Sequence, residues 1–282
     1  MAGVSTKDIK NRIRSMESTR AITKAMEMVA ASKLRHAQTR IASSRPYFEI
    51  LTATIHNIVA ANRDFSSPYL LKREGNRVLY VVIAGDRGLA GGYNSNILKL
   101  CVQEMEGKEA TVFPIGKKAV DYFRHHNVPI LSDAYAVAAD VNISDCFTIA
   151  KTLAKAYLAG EYDEIRIGYT TFVSVLSQTP TTMPLLPLVR DDHAEPASNM
   201  DTLYEPSPEE AFAAIVPEYL GGVLYGALCE AAASEQAARR TAMDSATQNA
   251  DEMIGDLSLK YNRARQSAIT NEIIDIVSGA NA

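Results

Sequence analysis

Apolar positions recur every three or four residues at both ends of the chain and gather into short runs only in its middle, so the pattern predicts helix, mixed segment, helix. From Val4 to Arg45 the sequence holds neither Gly nor Pro, 42 residues in which Ala, Met, Lys, Arg and Glu favour helix. Ser5 reads as the N-cap, with Asp8 three residues on in the manner of a capping box. Ile9, Ile13 and Met16 form one apolar stripe. Ile22, Met26, Val29, Ala30, Leu34 and Ala37 form a second, rotated from the first, so the line of contact winds round the helix. Pro46 is placed to bend it, and Ile50, Leu51, Ile55, Ile58 and Val59 then resume the rhythm towards Arg63.

The other end mirrors this. Ser207, Pro208 and Glu210 read as N-cap, first-turn proline and capping-box carboxylate. Pro217 is placed to kink the opening turns; the 61 residues from Glu218 to Ser278 contain no proline, and Gly279 suits a C-cap. At about 1.5 Å per residue they extend roughly 90 Å. Most of a helix's stability in a protein comes from packing an apolar face, so the natural partner is the other long helix. Nine of the 25 residues from Gly226 to Ala250 are Ala, and positions 227, 231, 238, 242, 246 and 250 keep mostly fourfold steps. Small side chains let two axes approach at the short end of the usual range of about 8–10 Å. The competing arrangement, two separate helices in an all-helical bundle, is disfavoured because the segment between them is not helical.

In that segment, residues 77–85, 109–116 and 163–175 read as strands, alternating with helical patterns at 94–106, 117–126 and 143–159. Such alternation argues for a small sheet covered by helices. Pro180 to Pro208, rich in Pro, Asp and Ser, reads as extended linker or edge strand. There is no internal repeat and no low-complexity tract.

One stretch, VVIAGDRGLAGGYNSNILK at 81–99, has the strand, glycine turn and helix order of a phosphate-binding loop. A Walker loop needs GxxxxGK with Ser or Thr next, yet Ala90 and Tyr93 stand five positions after Gly85 and Gly88. GxGxxG fails too, because Arg87 and Ala90 occupy the places of second glycines. Asp86 sits where an anion would have to come, and Arg87 is the one cation in the turn able to partner a phosphate. The stretch therefore reads as a tight turn whose glycines supply positive φ.

Other chemistry is thin. His125 and His126 are adjacent and lack the i, i+4 spacing of a shared metal site. GxSxG is absent, no Cys neighbours a His, and Asp191, Asp192 and His193 read as a solvated charge run in a Pro-flanked loop. No residue is assigned to catalysis, metal or cofactor.

Composition sharpens this picture at one point. The 282-residue chain has a formal charge of -4, but residues 1–45 carry ten Lys or Arg against Asp8, Glu17 and Glu27, a local +7 within an otherwise acidic protein. Aromatic side chains for stacking on bases are missing from Val4 to Arg45 and the cations are scattered round the helix, which argues against nucleic acid. An acidic protein surface round the arm fits better. Cys101, Cys146 and Cys229 are odd in number and far apart, offering neither a disulfide framework nor a CxxC pair. No run of about 18 apolar residues is read as a bilayer span, and the amino terminus lacks a secretory h-region; its helical pattern continues past where a transit peptide would be cleaved.

ITKAMEMVAASKLR (22–35), GDRGLAGGYN (85–94), LYEP (203–206), SEQAARRTAM (234–243) and LKYNRARQSAITNEIIDIVSGA (259–280) together resemble the gamma subunit of the rotary F-type ATP synthase, over essentially the whole chain. The resemblance implies an α/β fold: a long antiparallel, left-handed coiled coil of terminal helices at 1–65 and 207–282, with a small central Rossmann-like domain at 70–200 that binds no nucleotide. It implies a non-catalytic central rotor shaft inside a ring of alternating alpha and beta subunits, seated on the membrane c ring beside epsilon. Ion-driven rotation would bring its unequal faces to the three beta subunits in turn. The chain would then be peripheral to the membrane, on its cytoplasmic face in a bacterium. Carried over by motif, Met26 and Arg239 would lie near the acidic lever of beta. Arg265, Gln266, Thr270 and Glu272 would engage its catch loop. Tyr204 and Glu205 would form the foot facing the c ring, and Ile273, Ile274, Ile276 and Val277 would turn in a sleeve at the head. Each could instead be an ordinary seam, turn or solvated-face residue. Plant chloroplast relatives carry an insert with a regulatory cysteine pair, and no such insert is evident. The alternatives are a nucleotide-binding enzyme built on the glycine loop, or a scaffold coiled coil.

Overall fold

The computed structural model describes residues 6–61, 66–188, 205 and 207–280. Ser5, Tyr204, Asp191, Asp192 and His193 lie outside the described residues. The order is α1 (Thr6–Ala61), β1 (Arg77–Ile83), α2 (Tyr93–Met105), β2 (Glu109–Ile115), α3 (Lys117–His125), a 3-10 turn (Ala138–Asp140), α4 (Ile143–Leu158), β3 (Glu164–Phe172), β4 (Gln178–Leu186) and α5 (Pro208–Ala280). The sheet order is β2-β1-β3-β4. β1 is parallel to both β2 and β3, while β4 is antiparallel to β3.

Strand β1 is buried on both faces, as expected of a parallel strand with crossover helices on either side. Val78, Tyr80 and Val82 pack with α2 and α3 residues such as Ile97, Cys101 and Phe123. Leu79, Val81 and Ile83 point the other way, into a cluster with Ile149 and Leu153 of α4, Ile55 and Ile58 of α1, and Phe212, Val216, Leu220 and Leu224 of α5. At the strand's start the Asp163 carboxylate accepts the backbone N–H of Arg77 (3.1 Å) and two guanidinium nitrogens of the same residue (3.1 and 2.7 Å), which holds its pKa below the usual carboxylate range.

β4 is the strand that the linker-or-edge reading left open, and it is the edge. Pro180 and Pro184, opposite Thr170 and Arg166, are tolerated there because an edge strand need not donate every ladder bond. β3 stops at Phe172, short of the expected residue 175. There Ser174 and Ser177 bond to each other's backbone, N to O at 2.9 and 3.3 Å, and close the hairpin turn. Helix α4 starts with a full capping box that sequence reading did not flag. Asn142 Oδ1 accepts the Ser144 N–H at 2.8 Å and Asp145 Oδ2 accepts the Asn142 N–H at 2.9 Å. At the start of α5, Ser207 Oγ accepts the Glu210 N–H at 3.2 Å, and the helix continues through Pro217 as α1 does through Pro46. A stretch of α5 meets the length and apolarity of a membrane span, with a mean hydropathy of 1.4, contrary to the sequence expectation. Half of it is buried, as befits a helix lying across a protein core.

Two compact units divide the chain. One, Ser32–Ala238, contains the sheet and the parts of α1 and α5 that cover it. There Leu34 and Ala37 meet Ala233 and Ala237, with Ile41, Phe172 and Val175 around them. Gly222 lets α5 approach α1 closely, since a Cβ would lie 2.5 Å from the Phe48 ring. The other unit, Met1–Ala31 with Arg239–Ala282, pairs the remaining lengths of the two helices antiparallel: Thr23 Oγ1 lies 2.7 Å from Thr247 Oγ1, and Arg20 reaches Asp251 at 3.0 Å. Its seam is narrower than the apolar stripe suggested. Thr23 and Ala30 are buried with Met243, Thr247 and Ala250, whereas Ile22 and Val29 are 60% and 55% exposed.

Two stability outcomes follow from this packing. Gly116 has φ +98, and a Cβ there would sit 2.0 Å from the Ala84 carbonyl oxygen. Gly116→Ala should therefore destabilise the sheet unit by about 2 kcal/mol or more, read as a lowered midpoint in urea unfolding. Glu230 lies half-buried, its Oε2 without a hydrogen-bond partner, and burial raises its pKa. The folded state thus holds that proton more tightly than the unfolded one, so the associated stability is greatest below the unfolded pKa and is lost as pH rises through the folded value. Thermal unfolding of Glu230→Gln should show a midpoint that gains on the parent from pH 4 to pH 7.

Candidate functional site on the paired terminal helices

The glycine loop was the leading place for chemistry. Only Gly91 of its four glycines has positive φ (+55), and Leu89 shares that conformation at +63, so the expectation that the glycines as a group supply it holds at one position. The Asn94 side chain ties the turn, accepting the Gly85 N–H at 2.8 Å and donating to the Arg87 carbonyl at 3.2 Å. Asp86 Oδ1 accepts the N–H groups of Lys117 (3.1 Å) and Ala138 (2.8 Å), and Oδ2 that of Ala139 (3.0 Å). Backbone N–H groups at a helix start are the usual cradle of a phosphate; here the chain's own carboxylate occupies one at the start of α3 and two at the 3-10 turn.

Among the described residues no group of three or more His, Cys, Asp or Glu could hold a metal. His126 stacks on Tyr122 at the end of α3. The three cysteines are free and buried, and burial pushes the Cys101 and Cys146 thiols up to about 12, where the nucleophilic thiolate is scarce at neutral pH.

The features with something to meet are on the helices. Ile22 and Val29, seven positions apart, and Met28 beside them leave an apolar strip uncovered on α1. Carried along the helices, the Thr23–Thr247 register sets Met26 level with about residue 244 and Arg239 level with about residue 31, roughly 7.5 Å apart along the axis. Both are partly buried. Arg265, Gln266, Thr270 and Glu272 are exposed, in a part of α5 that the same register carries past the first described turn of α1. Thr270 Oγ1 donates to the Gln266 carbonyl at 2.9 Å. Just beyond, Ile273, Ile274, Ile276 and Val277 are exposed as well. Glu205 is exposed, while Tyr204 lies outside the described residues.

A family model described as ATP synthase matches residues 5–282. The chain is 45% identical over 279 residues to the ATP synthase gamma chain of Ruminococcus albus, covering 97% of each. The chain belongs to the ATP synthase gamma chain family. Other gamma chains of similar length agree: that of Alkaliphilus metalliredigens is 42% identical over 286 residues, 99% of each chain. A sodium ion specific gamma chain from Acetobacterium woodii is 40% identical over 294 residues, covering 98% of this chain and 97% of its own. Among solved structures, the rotor of the Euglena gracilis mitochondrial ATP synthase aligns with TM-score 0.66 at 21% identity, over 94% of this chain and 98% of that one. The central stalk and c-ring structure from Tetrahymena thermophila gives TM-score 0.59 at 23% identity, over 80% and 99%. Both share the fold of this gamma chain: a four-stranded mixed sheet with two long terminal helices.

Sequence reasoning missed the gamma chain's Thr23–Thr247 pair and the outward strip of Ile22, Met28 and Val29. The signal was the Thr at position 23 amid apolar neighbours, where helical spacing from Ala30 already places it on the seam. Asp86→Ala should free the amides of Lys117, Ala138 and Ala139. Their hydrogen exchange should quicken by roughly tenfold, the loss of about one hydrogen bond each, while amides in the paired region of residues 15–30 keep their rates.

Proposed function

We propose that this gamma chain is the central shaft of a rotary ATP synthase, a non-catalytic subunit that carries rotation of a membrane c ring to the nucleotide sites of the beta subunits. Its partners are alpha, beta and epsilon subunits and the c ring, and it sits peripherally on the cytoplasmic face of a bacterial cell membrane. The observation that carries the reading is the contrast between two surfaces. Asp86 of the glycine loop turns its carboxylate to the amides of Lys117, Ala138 and Ala139, where it would oppose an anion, while apolar side chains of α1 and the end of α5 stand exposed.

The mechanism needs no bond chemistry on the chain. A ligand or partner shifts a conformational equilibrium only by its differential contact with the two states. A body whose faces differ therefore holds each of three like neighbours in a different state as it turns. The ten cations of residues 1–45 give the amino-terminal arm a charge that acidic levers on beta would register. In this reading Met26 and Arg239 lie beside the lever, Arg265, Gln266, Thr270 and Glu272 engage the catch loop, and Tyr204 and Glu205 face the c ring. The exposed apolar end of α5 turns in a sleeve, where the lack of directional bonds keeps friction low.

The purified chain should hydrolyse no ATP, yet restore coupled activity to alpha and beta subunits. Hydrolysis by the chain alone, abolished in Arg87→Ala, would identify a nucleotide enzyme instead; self-association without alpha or beta would favour a scaffold. In reconstituted vesicles the double variant Arg265→Ala, Gln266→Ala should assemble but lower coupled synthesis roughly fivefold or more, about 1 kcal/mol of coupling. Normal coupling in that variant would remove these two residues from the working contact.

A further inference from the structure

In the sheet unit, β1 is flanked by β2, reached through α2 on one face, and by β3, reached through α4 on the other. The carboxyl end of β1 is therefore the switch point at which open α/β sheets take ligands. A cavity of about 360 Å³ opens there, within the size range of small-molecule sites. Its floor is Ile83 and Ala84 at the end of the strand, and α5 adds Tyr225 and Leu228. Asp86 beside it has already taken the N–H groups of Lys117, Ala138 and Ala139, so those donors are closed to a ligand, and the cavity is the space between that turn and the two long helices.

The walls of this cavity carry a definite charge pattern. Lys33, His36 and Arg40 line it from α1, and their i, i+3, i+7 spacing puts them on one face of that helix. All three are exposed, so their polar heads stand at a wet rim while the floor is apolar. The cavity is also lined by Asp86, whose charge is met by three N–H groups, and by Glu235 of α5. Two carboxylates beside the floor repel a ligand charged along its whole length and accept one whose charge is confined to the α1 side.

We propose that this cavity is a binding site for a small amphipathic organic anion, a flat apolar body resting on Ile83, Ala84 and Tyr225 with a single sulfonate or carboxylate head held by Lys33 and Arg40. Such an occupant touches α1, α5 and the sheet at once and stabilises their packing in the folded chain. The site uses none of Met26, Arg239, Arg265, Gln266, Thr270 and Glu272, although Lys33 and Arg40 are two of the ten cations of residues 1–45.

The probe is 1-anilinonaphthalene-8-sulfonate, added to the full-length chain. Expected are one saturable site with a blue-shifted emission and a raised thermal midpoint, since a ligand of the native state stabilises it. Lys33→Ala with Arg40→Ala, both exposed positions, should weaken binding by roughly tenfold, the loss of one or two charge-assisted hydrogen bonds. Ala232→Phe, at an exposed cavity-lining position, should block it, with far-UV circular dichroism unchanged. ATP should not displace the probe. A lowered thermal midpoint, an unsaturable signal, equal affinity in both variants, or displacement by ATP would each overturn the proposal.

Discussion

The close approach of α1 and α5 is the constraint on which everything else in this chain rests. Two helices can lie this near only where side chains are small, and Ala233 and Ala237 against Leu34 and Ala37 meet that demand beside the sheet, as Gly222 does under Phe48. In the other unit the same demand is met by Ala30, Ala250 and the Thr23–Thr247 pair. A narrow seam buries little area per turn. It needs length to accumulate stability, which is why helices of 56 and 73 residues accompany a sheet of only four strands.

A narrow seam also decides what is left over. Because so little of each helix circumference is used, bulky residues such as Ile22, Met28 and Val29 remain outside it. An exposed apolar strip of this kind is a liability in an isolated protein and is what a partner surface would cover. The glycine loop shows the reverse. There Asp86 turns its carboxylate inward to the amides of Lys117, Ala138 and Ala139, and ties the start of α3 and the 3-10 turn to the end of β1.

Period and composition made much of this legible. The absence of Gly and Pro from Val4 to Arg45 marked α1, the proline-free run to Ser278 marked α5, and RVLYVVIAG read as a strand. What escaped was set by neighbours far away in sequence. Ile22 and Val29 fit an apolar stripe, but hydrophobicity does not report how wide the partner's groove is, and Thr23 took the seam because its hydroxyl meets Thr247 and the Arg20 carbonyl. β4 was obscured by its prolines. Asp86 was visible as a carboxylate in a turn, but its three donors lie 31 to 53 positions on. Of the candidate contact residues, the motifs supplied the names, and the exposure of Arg265, Gln266, Thr270 and Glu272 came from a helix end running past its partner.

The prolines of β4 have a consequence for the life of the chain before it finds its neighbours. An open sheet margin is a template on which another copy's backbone can zip. Pro180 and Pro184, each two residues in from an end of β4, have no N–H to donate. Proline is one of the devices that blunt such a margin, and β4 carries it with no charged residue along its length.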